Sequence, residues 1–254
     1  MTIHYTREGE TAVITLAGAD DTNILGAADL AALGAAWHRF AGEDDARIAI
    51  ITGAGNRAFC AGANVGELGP LLAEAGASLD LAYTMKNFLI AKPIIAAING
   101  HAIGAGMEIM LATDVRIAVP AATFGLPEVR WGAIPVGGSV ARLPRQVPYA
   151  WAMRLLLTGD RISAEQALAA GLITELVPPE SLLTRARELA SRILRNSPAA
   201  VRAVKECVAR TQEGDLRVAH MIEGFYGDRV AASTDAAEGA QAFREGRQPG
   251  YRIS

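Results

Sequence analysis

Cysteine is scarce in this chain: Cys60 and Cys207 are the only two in 254 residues. They lie far apart and without metal-ligand spacing, which argues against a disulfide framework and against a zinc site. A basic stripe is also lacking. Twenty-four Lys and Arg stand against 27 Asp and Glu, a net charge of −3 with no block of one sign, so no nucleic-acid partner is expected. Apolar runs are cut by Gly, Asn or Pro before they reach membrane-spanning length. The opening MTIHYTREGE carries charges where a secretory leader has its apolar stretch. No fixed-period repeat and no segment of disordered composition occurs. The expectation is a reduced, cytoplasmic protein without metal or membrane association.

What is present is apolar and small: 51% hydrophobic residues, 26 glycines and only 20% charged residues. That is the balance of a tightly packed globular chain with one large core, with or without a helical appendage. IHYTREGETAVITLAG predicts two strands around a turn at Glu8-Gly9. DLAALGAAWHRFAGED has apolar residues at helical spacing and ends near Gly42. RIAIITGAG and KPIIAAING predict short buried strands that close on glycines. Between them lie a loop, NRAFCAGANVGELG, and a mostly helical stretch to Phe88. A glycine turn and an apolar helix from Gly104 to about Ala112 lead to the strand DVRIAV. Strand, glycine turn, helix and strand again make an α/β pattern with mostly parallel pairing.

Beyond Pro144 helices dominate. Ser163 is placed to cap SAEQALAAG with Gln166 as its capping-box partner and Gly171 as terminator. Ser197 and Pro198 open SPAAVRAVKECVAR, and Asp235 with Glu238 are expected to cap the last helix in the same way. Residues 1–144 are therefore read as an α/β core. Residues 145–254 are read as a mainly helical region packing on that core and on neighbouring subunits.

NGHAIGAGMEIM, Asn99 to Met110, places a carboxylate in a segment otherwise built for the interior. The first amides of a helix starting near Gly104 have no intrahelical partner and carry the positive end of the dipole. Small residues let a ligand approach the main chain there. An oxygen that becomes negative during a reaction is stabilised at such a spot, where removing one donor typically costs on the order of 10²–10³ in rate. A lone glutamate in a first helical turn has a plain structural explanation in the dipole, worth roughly 0.3–1 kcal/mol. Glu108, however, has company. FGLPEVRWGAIPVGG sets Glu128 among apolar residues beside another glycine turn, and FCAGANVGEL offers a second set of amides around Ala63.

These segments resemble the crotonase, or enoyl-CoA hydratase/isomerase, superfamily. IAAINGHAIGAGMEIMLATDV (Ile95 to Val115) agrees with that family's signature throughout. RAFCAGANVGEL is similar to its first oxyanion loop and FGLPEVRWGAIPVGGSVARLPR to its second catalytic segment. LLLTGDRISAEQALAAGLITELVP and DAAEGAQAFREGRQP extend the likeness to essentially the whole chain. The resemblance implies a spiral of ββα turns followed by a C-terminal helical trimerisation region, in a homotrimer or a homohexamer of two trimers. It implies an acyl-CoA thioester as substrate, with CoA part of that substrate and no separate cofactor. It implies that the N–H groups of Ala63 and Ala105 hold the thioester oxygen, and that Glu108 and Glu128 hold the water added to a 2-enoyl-CoA. Ala61, Gly62, Ala63, Asn64, Val65, Gly66, Ala105, Trp131 and Val136 are the expected substrate contacts. The stretch from about Leu71 to Asn87 is expected to shape the acyl pocket.

The chain departs from the family pattern in places. Asn64 stands where Asp is common, and Gly66 where many hydratases have a Lys. That leaves Arg57, or basic residues of a neighbour's C-terminus, as candidates for the CoA phosphates. Val136 stands where a glycine is usual and narrows the pocket, and Ala105 replaces a glycine at a main-chain contact. Cys60, His101 and Ser139 have better readings as packing residues than as nucleophile or base; Ser139 is not in G-x-S-x-G. Within the family, an isomerase, a decarboxylase or a lyase is the alternative. Outside catalysis, an RNA-binding or assembly member is disfavoured by the lysine-free helix DLAALGAAWHRFAGEDD. A dinucleotide-dependent oxidoreductase lacks the third glycine of G-x-G-x-x-G.

Overall fold

The computed structural model describes residues 2–75, 81–212 and 214–251. Strands β1 (Ile3–Glu8) and β2 (Thr11–Leu16) pair antiparallel around the turn at Gly9. Helix α1 (Ala27–Gly42) follows, with Leu30, Leu33, Trp37 and Phe40 buried at helical spacing. Burying each such large side chain contributes roughly 1.5–3 kcal/mol. The Asp29 carboxylate accepts the Gly26 N–H at 2.9 Å and closes the start of the helix.

The chain then spirals. β3 (Ile48–Gly53), β5 (Ile94–Ile98) and β7 (Val115–Ala118) are laid in turn, in parallel, into one sheet. After each comes a shorter strand of a second sheet: β4 (Ala58–Cys60), β6 (His101–Ile103) and β8 (Thr123–Gly125). Helices α2 (Val65–Ala75) and α3 (Ala105–Leu111) close the first two turns. The large sheet runs β1-β2-β3-β5-β7 and the small one β4-β6-β8, each extended at its last strand by one from later in the chain. This is the expected α/β spiral of ββα turns. β3 and β5 are buried at every position, which is why their sequences are continuous apolar runs rather than alternating ones.

Two details differ from the sequence reading. The "glycine turn" between Gly100 and Gly104 contains strand β6, and the loop after β3 contains β4. Both strands are three residues long, too short for periodicity to show. The mostly helical stretch to Phe88 consists of α2 and a 3₁₀ turn at Ala82–Thr84; its residues 76–80 lie outside the described residues.

Pro144 falls inside α4 (Ser139–Gln146), which is followed by α5 (Tyr149–Thr158). Strands β9 (Arg161–Ser163) and β10 (Glu175–Leu176) then add to the two sheets, on either side of α6 (Ala164–Ala169). Ser163 and Gln166 form the expected capping box at α6. Helix α7 (Leu182–Leu194) packs over β3, β5 and β7. The chain ends in α8 (Pro198–Thr211), α9 (Leu216–Ala231) and α10 (Thr234–Glu245), which pack on one another. Among the described residues no helix is long and apolar enough to cross a membrane.

At α10 the expected cap is wrong. Ser233, not Asp235, is the N-cap, its hydroxyl accepting the Ala236 N–H at 3.2 Å. Asp235 sits inside the first turn and turns away to α8, where its Oδ2 accepts from the Ser197 hydroxyl (2.6 Å) and the Ala199 N–H (3.2 Å). Glu238 pairs with Arg247 instead of serving the cap. Serine followed by Thr-Asp leaves the cap ambiguous by two residues, and only the neighbouring helix resolves it. Asp235→Ala removes a buried acceptor shared by two helices. It is expected to cost about 1–3 kcal/mol in urea unfolding, more than Asp235→Asn, which keeps an acceptor oxygen; an equal, near-zero cost for both would contradict this tie.

Candidate active site

The site begins with the way loops are pinned to one another. After β5, the Asn99 side chain accepts the Gly53 N–H (2.9 Å) and donates to the carbonyls of Gly55 (3.0 Å) and Ala58 (3.1 Å). Asn23 reaches the same loop from the other side, donating to Ala54 (2.9 Å) and Ala58 (2.8 Å). Helix α3 then starts directly on the end of β4. A Cβ on Gly106 would overlap the Cys60 carbonyl oxygen, so only glycine permits this approach.

The strand end leads into Ala61–Asn64, held by the Ala61 N–H on Thr22 O (2.9 Å), the Leu25 N–H on Gly62 O (3.0 Å) and the Asn64 N–H on Leu25 O (2.8 Å). Two donors in this seam are left over. Among the described residues, neither the Ala63 N–H nor the Ala105 N–H, the latter at the first position of α3, donates to a protein acceptor. The segments run close together: a Cβ on Gly104 would lie 4.0 Å from Gly62 Cα, and one on Gly62 would lie 3.6 Å from Ile103 O.

Glu108 lies one turn into α3, its N–H on Gly104 O at 3.0 Å. It is only 4% exposed. Its Oε1 accepts the Gly137 N–H at 2.6 Å and its Oε2 accepts from the Tyr83 hydroxyl at 3.1 Å. A Cβ at position 137 would meet Glu108 Oε2 at 2.5 Å, so the Gly-Gly before α4 serves to bring a backbone donor onto the carboxylate. Burial, and next the Glu128 carboxylate, push Glu108 up to about 7. The Gly137 N–H, the Tyr83 hydroxyl and the Arg142 guanidinium oppose that rise.

Glu128 stands on the 3₁₀ turn Pro127–Trp131 that follows β8. Burial raises it above the ordinary carboxylate value. Its Oε2 is buried and without a hydrogen-bond partner among the described residues. Its Oε1 lies over Gly104, 3.2 Å from where a Cβ there would be. The two glutamates, twenty residues apart in sequence, thus both lie near the start of α3, close enough for the Glu128 charge to raise Glu108.

The other expected contacts divide. Ala61, Gly62 and Ala63 line the same seam. Asn64 is exposed and acts as the cap of α2: its Oδ1 accepts the Gly66 N–H (3.1 Å) and its Nδ2 donates to Glu67 (2.7 Å). Val65 and Gly66 are exposed on the first turn of α2. Trp131 is 82% exposed, so it is not an ordinary core aromatic. Val136 is half-buried, and its carbonyl accepts from Lys86 Nζ at 2.9 Å. Arg57 is exposed and makes a long ion pair with Asp21 (3.4 Å). The Cys60 thiol donates to Gly62 O at 3.4 Å, and burial pushes it up to about 12, which leaves no thiolate nucleophile near neutrality. His101 Nδ1 lies 2.9 Å from Thr123 Oγ1 on the small sheet. Ser139 is buried at the start of α4.

Tyr83 and Arg142 were not foreseen. Tyr83 lies 25 residues before Glu108 in a stretch without a motif. Arg142 donates to the carbonyls of Thr84 (2.8 Å) and Met85 (3.2 Å). No spacing signal marks either residue, because both act across tertiary contacts.

The sequence matches the family described as enoyl-CoA hydratase/isomerase over residues 6–253. It is 37% identical over 260 residues to the enoyl-CoA hydratase EchA19 of Mycobacterium tuberculosis, covering 97% of this chain and 94% of that one. It is 38% identical over 259 residues to the carnitinyl-CoA dehydratase of Proteus mirabilis, covering 98% of each. The solved structure of an enoyl-CoA hydratase from Bacillus anthracis superposes with a TM-score of 0.92 at 34% identity, covering 100% of both chains.

Burial of Glu108 sets the sign of a pH effect on stability. The folded chain holds the Glu108 proton more tightly than the unfolded chain does. Stability is therefore lost as pH rises from the ordinary value of 4.5 through about 7, and the loss is complete above that. Glu108→Gln cannot ionise. It is expected to be more stable than wild type by about 1–3 kcal/mol at pH 8, with the gain vanishing near pH 4.5. Urea unfolding at the two pH values checks this; a pH-independent difference would contradict it.

Proposed function

This chain belongs to the enoyl-CoA hydratase/isomerase family, and we propose that it is an enoyl-CoA hydratase, adding water to a 2-enoyl-CoA to give the 3-hydroxyacyl-CoA. The observation that carries the proposal is the pairing of a buried glutamate, Glu108, with a half-buried one, Glu128, beside two unengaged backbone N–H groups.

In this reading the thioester oxygen lies on the N–H groups of Ala63 and Ala105. Water held between the acids attacks C3, and a C–O bond forms as an O–H bond of the water breaks. The proton released passes to Glu108. The C2=C3 electron pair moves into the thioester, giving an enolate oxygen that the two N–H groups stabilise without moving. As the enolate collapses, Glu128 gives its proton to C2 on the face from which the water came. A proton passed from Glu108 to Glu128 restores the pair. Dehydration is the same path reversed.

Burial and the Glu128 charge raise Glu108, so the two do not readily both ionise, and one proton on the pair is the state this chemistry needs. A metal or redox cofactor has no step to perform here, and CoA enters only as part of the substrate. The relatives' names, a hydratase and a dehydratase, agree with water chemistry in either direction. An isomerase, lyase or decarboxylase on an acyl-CoA remains the second reading within the family; an isomerase has no need of an acid at both positions. We further propose assembly into trimers or hexamers. The apolar side chains of Val204, Val208, Leu216, Val218, Met221 and Phe225, exposed on α8 and α9 of the single chain, support that reading.

Glu108→Gln and Glu128→Gln are each expected to lower kcat for crotonyl-CoA hydration by about 10²–10⁴, with thioester affinity changed only a few-fold. Loss of the enoyl-thioester absorbance measures both. Undiminished turnover in the double variant would overturn the mechanism, and double-bond migration without water addition would favour the second reading.

A further inference from the structure

Nothing in the hydration scheme requires a tyrosine, yet Tyr83 is built into the site with care. Its 3₁₀ turn, Ala82–Thr84, is clamped from two sides. The fully buried Trp37 donates its indole N–H to Tyr83 O at 3.0 Å. Arg142 donates to Thr84 O and Met85 O, and the Thr84 hydroxyl donates to Leu81 O at 2.9 Å. Met85 completes the turn in the left-handed region at φ +52, a conformation that costs a non-glycine residue about 1 kcal/mol or more. These restraints leave the phenol buried, with its oxygen 3.1 Å from Glu108 Oε2.

Burial and the nearby Glu108 charge hold the phenol above its usual range, so it stays protonated and donates. Glu108 thereby has one donor on each oxygen, Gly137 N–H on Oε1 and Tyr83 O–H on Oε2. Glu128 has a buried Oε2 with none. Donors stabilise a carboxylate, so the Tyr83 hydroxyl and the Gly137 N–H both work against the rise that burial gives Glu108. The groups facing Glu108 are Glu128 from its 3₁₀ turn, Arg142 from α4, the Gly137 N–H and Tyr83 itself. Of these, only Tyr83 can be altered without removing a charge or a backbone group.

We propose that Tyr83 is a positioning residue for the reaction: its hydroxyl locks the Glu108 carboxylate in one orientation for holding water and favours its ionised form. This rests on the hydratase reading for its kinetic consequence, but the effect on Glu108 belongs to the free protein.

The test compares wild type, Tyr83→Phe, and protein carrying 3-fluorotyrosine at position 83, a stronger donor of nearly the same size. Tyr83→Phe is expected to lower kcat for crotonyl-CoA about 10- to 100-fold with KM within about threefold, as for loss of a hydrogen bond to a charged group. The acidic limb of its kcat/KM profile is expected to move up by about one pH unit. The fluorinated protein should move that limb down, which a purely structural role would not do.

Carboxyl infrared titration of the free protein, with Glu108→Gln identifying the band, supplies a readout without turnover. Glu108 should titrate higher in Tyr83→Phe and lower in the fluorinated protein. If both variants titrate as wild type, the Tyr83 proposal is overturned even when wild type hydrates enoyl-CoA. If the shifts occur but wild type hydrates no enoyl-CoA, the hydratase reading fails and the assignment of Tyr83 to Glu108 stands.

Discussion

With no Cβ at position 106, the first turn of α3 lies on the backbone of β4, against the Cys60 carbonyl. The Ala105 N–H is thereby brought beside the loop that carries the Ala63 N–H. Glu108 lies one turn further along α3. The asparagines at 23 and 99 then hold the loop after β3 by its carbonyls. They let a segment that is not regular structure keep fixed N–H directions. Any side chain at 106 would separate the two donor segments, and each of the other features relies on their closeness.

The second consequence is electrostatic. Placing a glutamate in the first turn of α3 buries it, and burial alone would make it an ordinary protonated acid. The chain counters this with a glycine that lets the backbone reach Oε1 and with Tyr83 at Oε2. Burial still outweighs those donors in an arrangement that holds Glu108 well above the ordinary carboxylate value. It comes at a cost in stability above neutral pH, as expected where a site is arranged for chemistry rather than for packing.

Much of this was legible in the chain itself. The stretch Ile95 to Val115 carried enough pattern to place a strand, a glycine turn and a helix with an unusual carboxylate, and Glu128 followed from its apolar surroundings. Capping at Ser163 and Ser197 was readable because a cap acts over three residues. What escaped were features that act across space. Strands β4 and β6 are too short to show alternation. Asp235 looked like a cap until α8 was seen beside it. Tyr83 and Arg142 meet Glu108 only through folding, and no spacing rule connects them. Gly137 is visible as half of a Gly-Gly pair, but its purpose, admitting a backbone donor to Glu108, lies in a contact across 29 residues that no local pattern marks.

The central claim is that one enclosure holds a thioester oxygen on two main-chain N–H groups and presents its carbon chain to both acids. A crystal structure with butyryl-CoA, a saturated thioester that cannot add water, tests it most directly. The account predicts the thioester oxygen about 2.7–3.1 Å from both the Ala63 and Ala105 nitrogens, with C2 and C3 lying between the carboxyl groups of Glu108 and Glu128. A thioester oxygen bound elsewhere, or an acyl chain that reaches only one of the two acids, would contradict it.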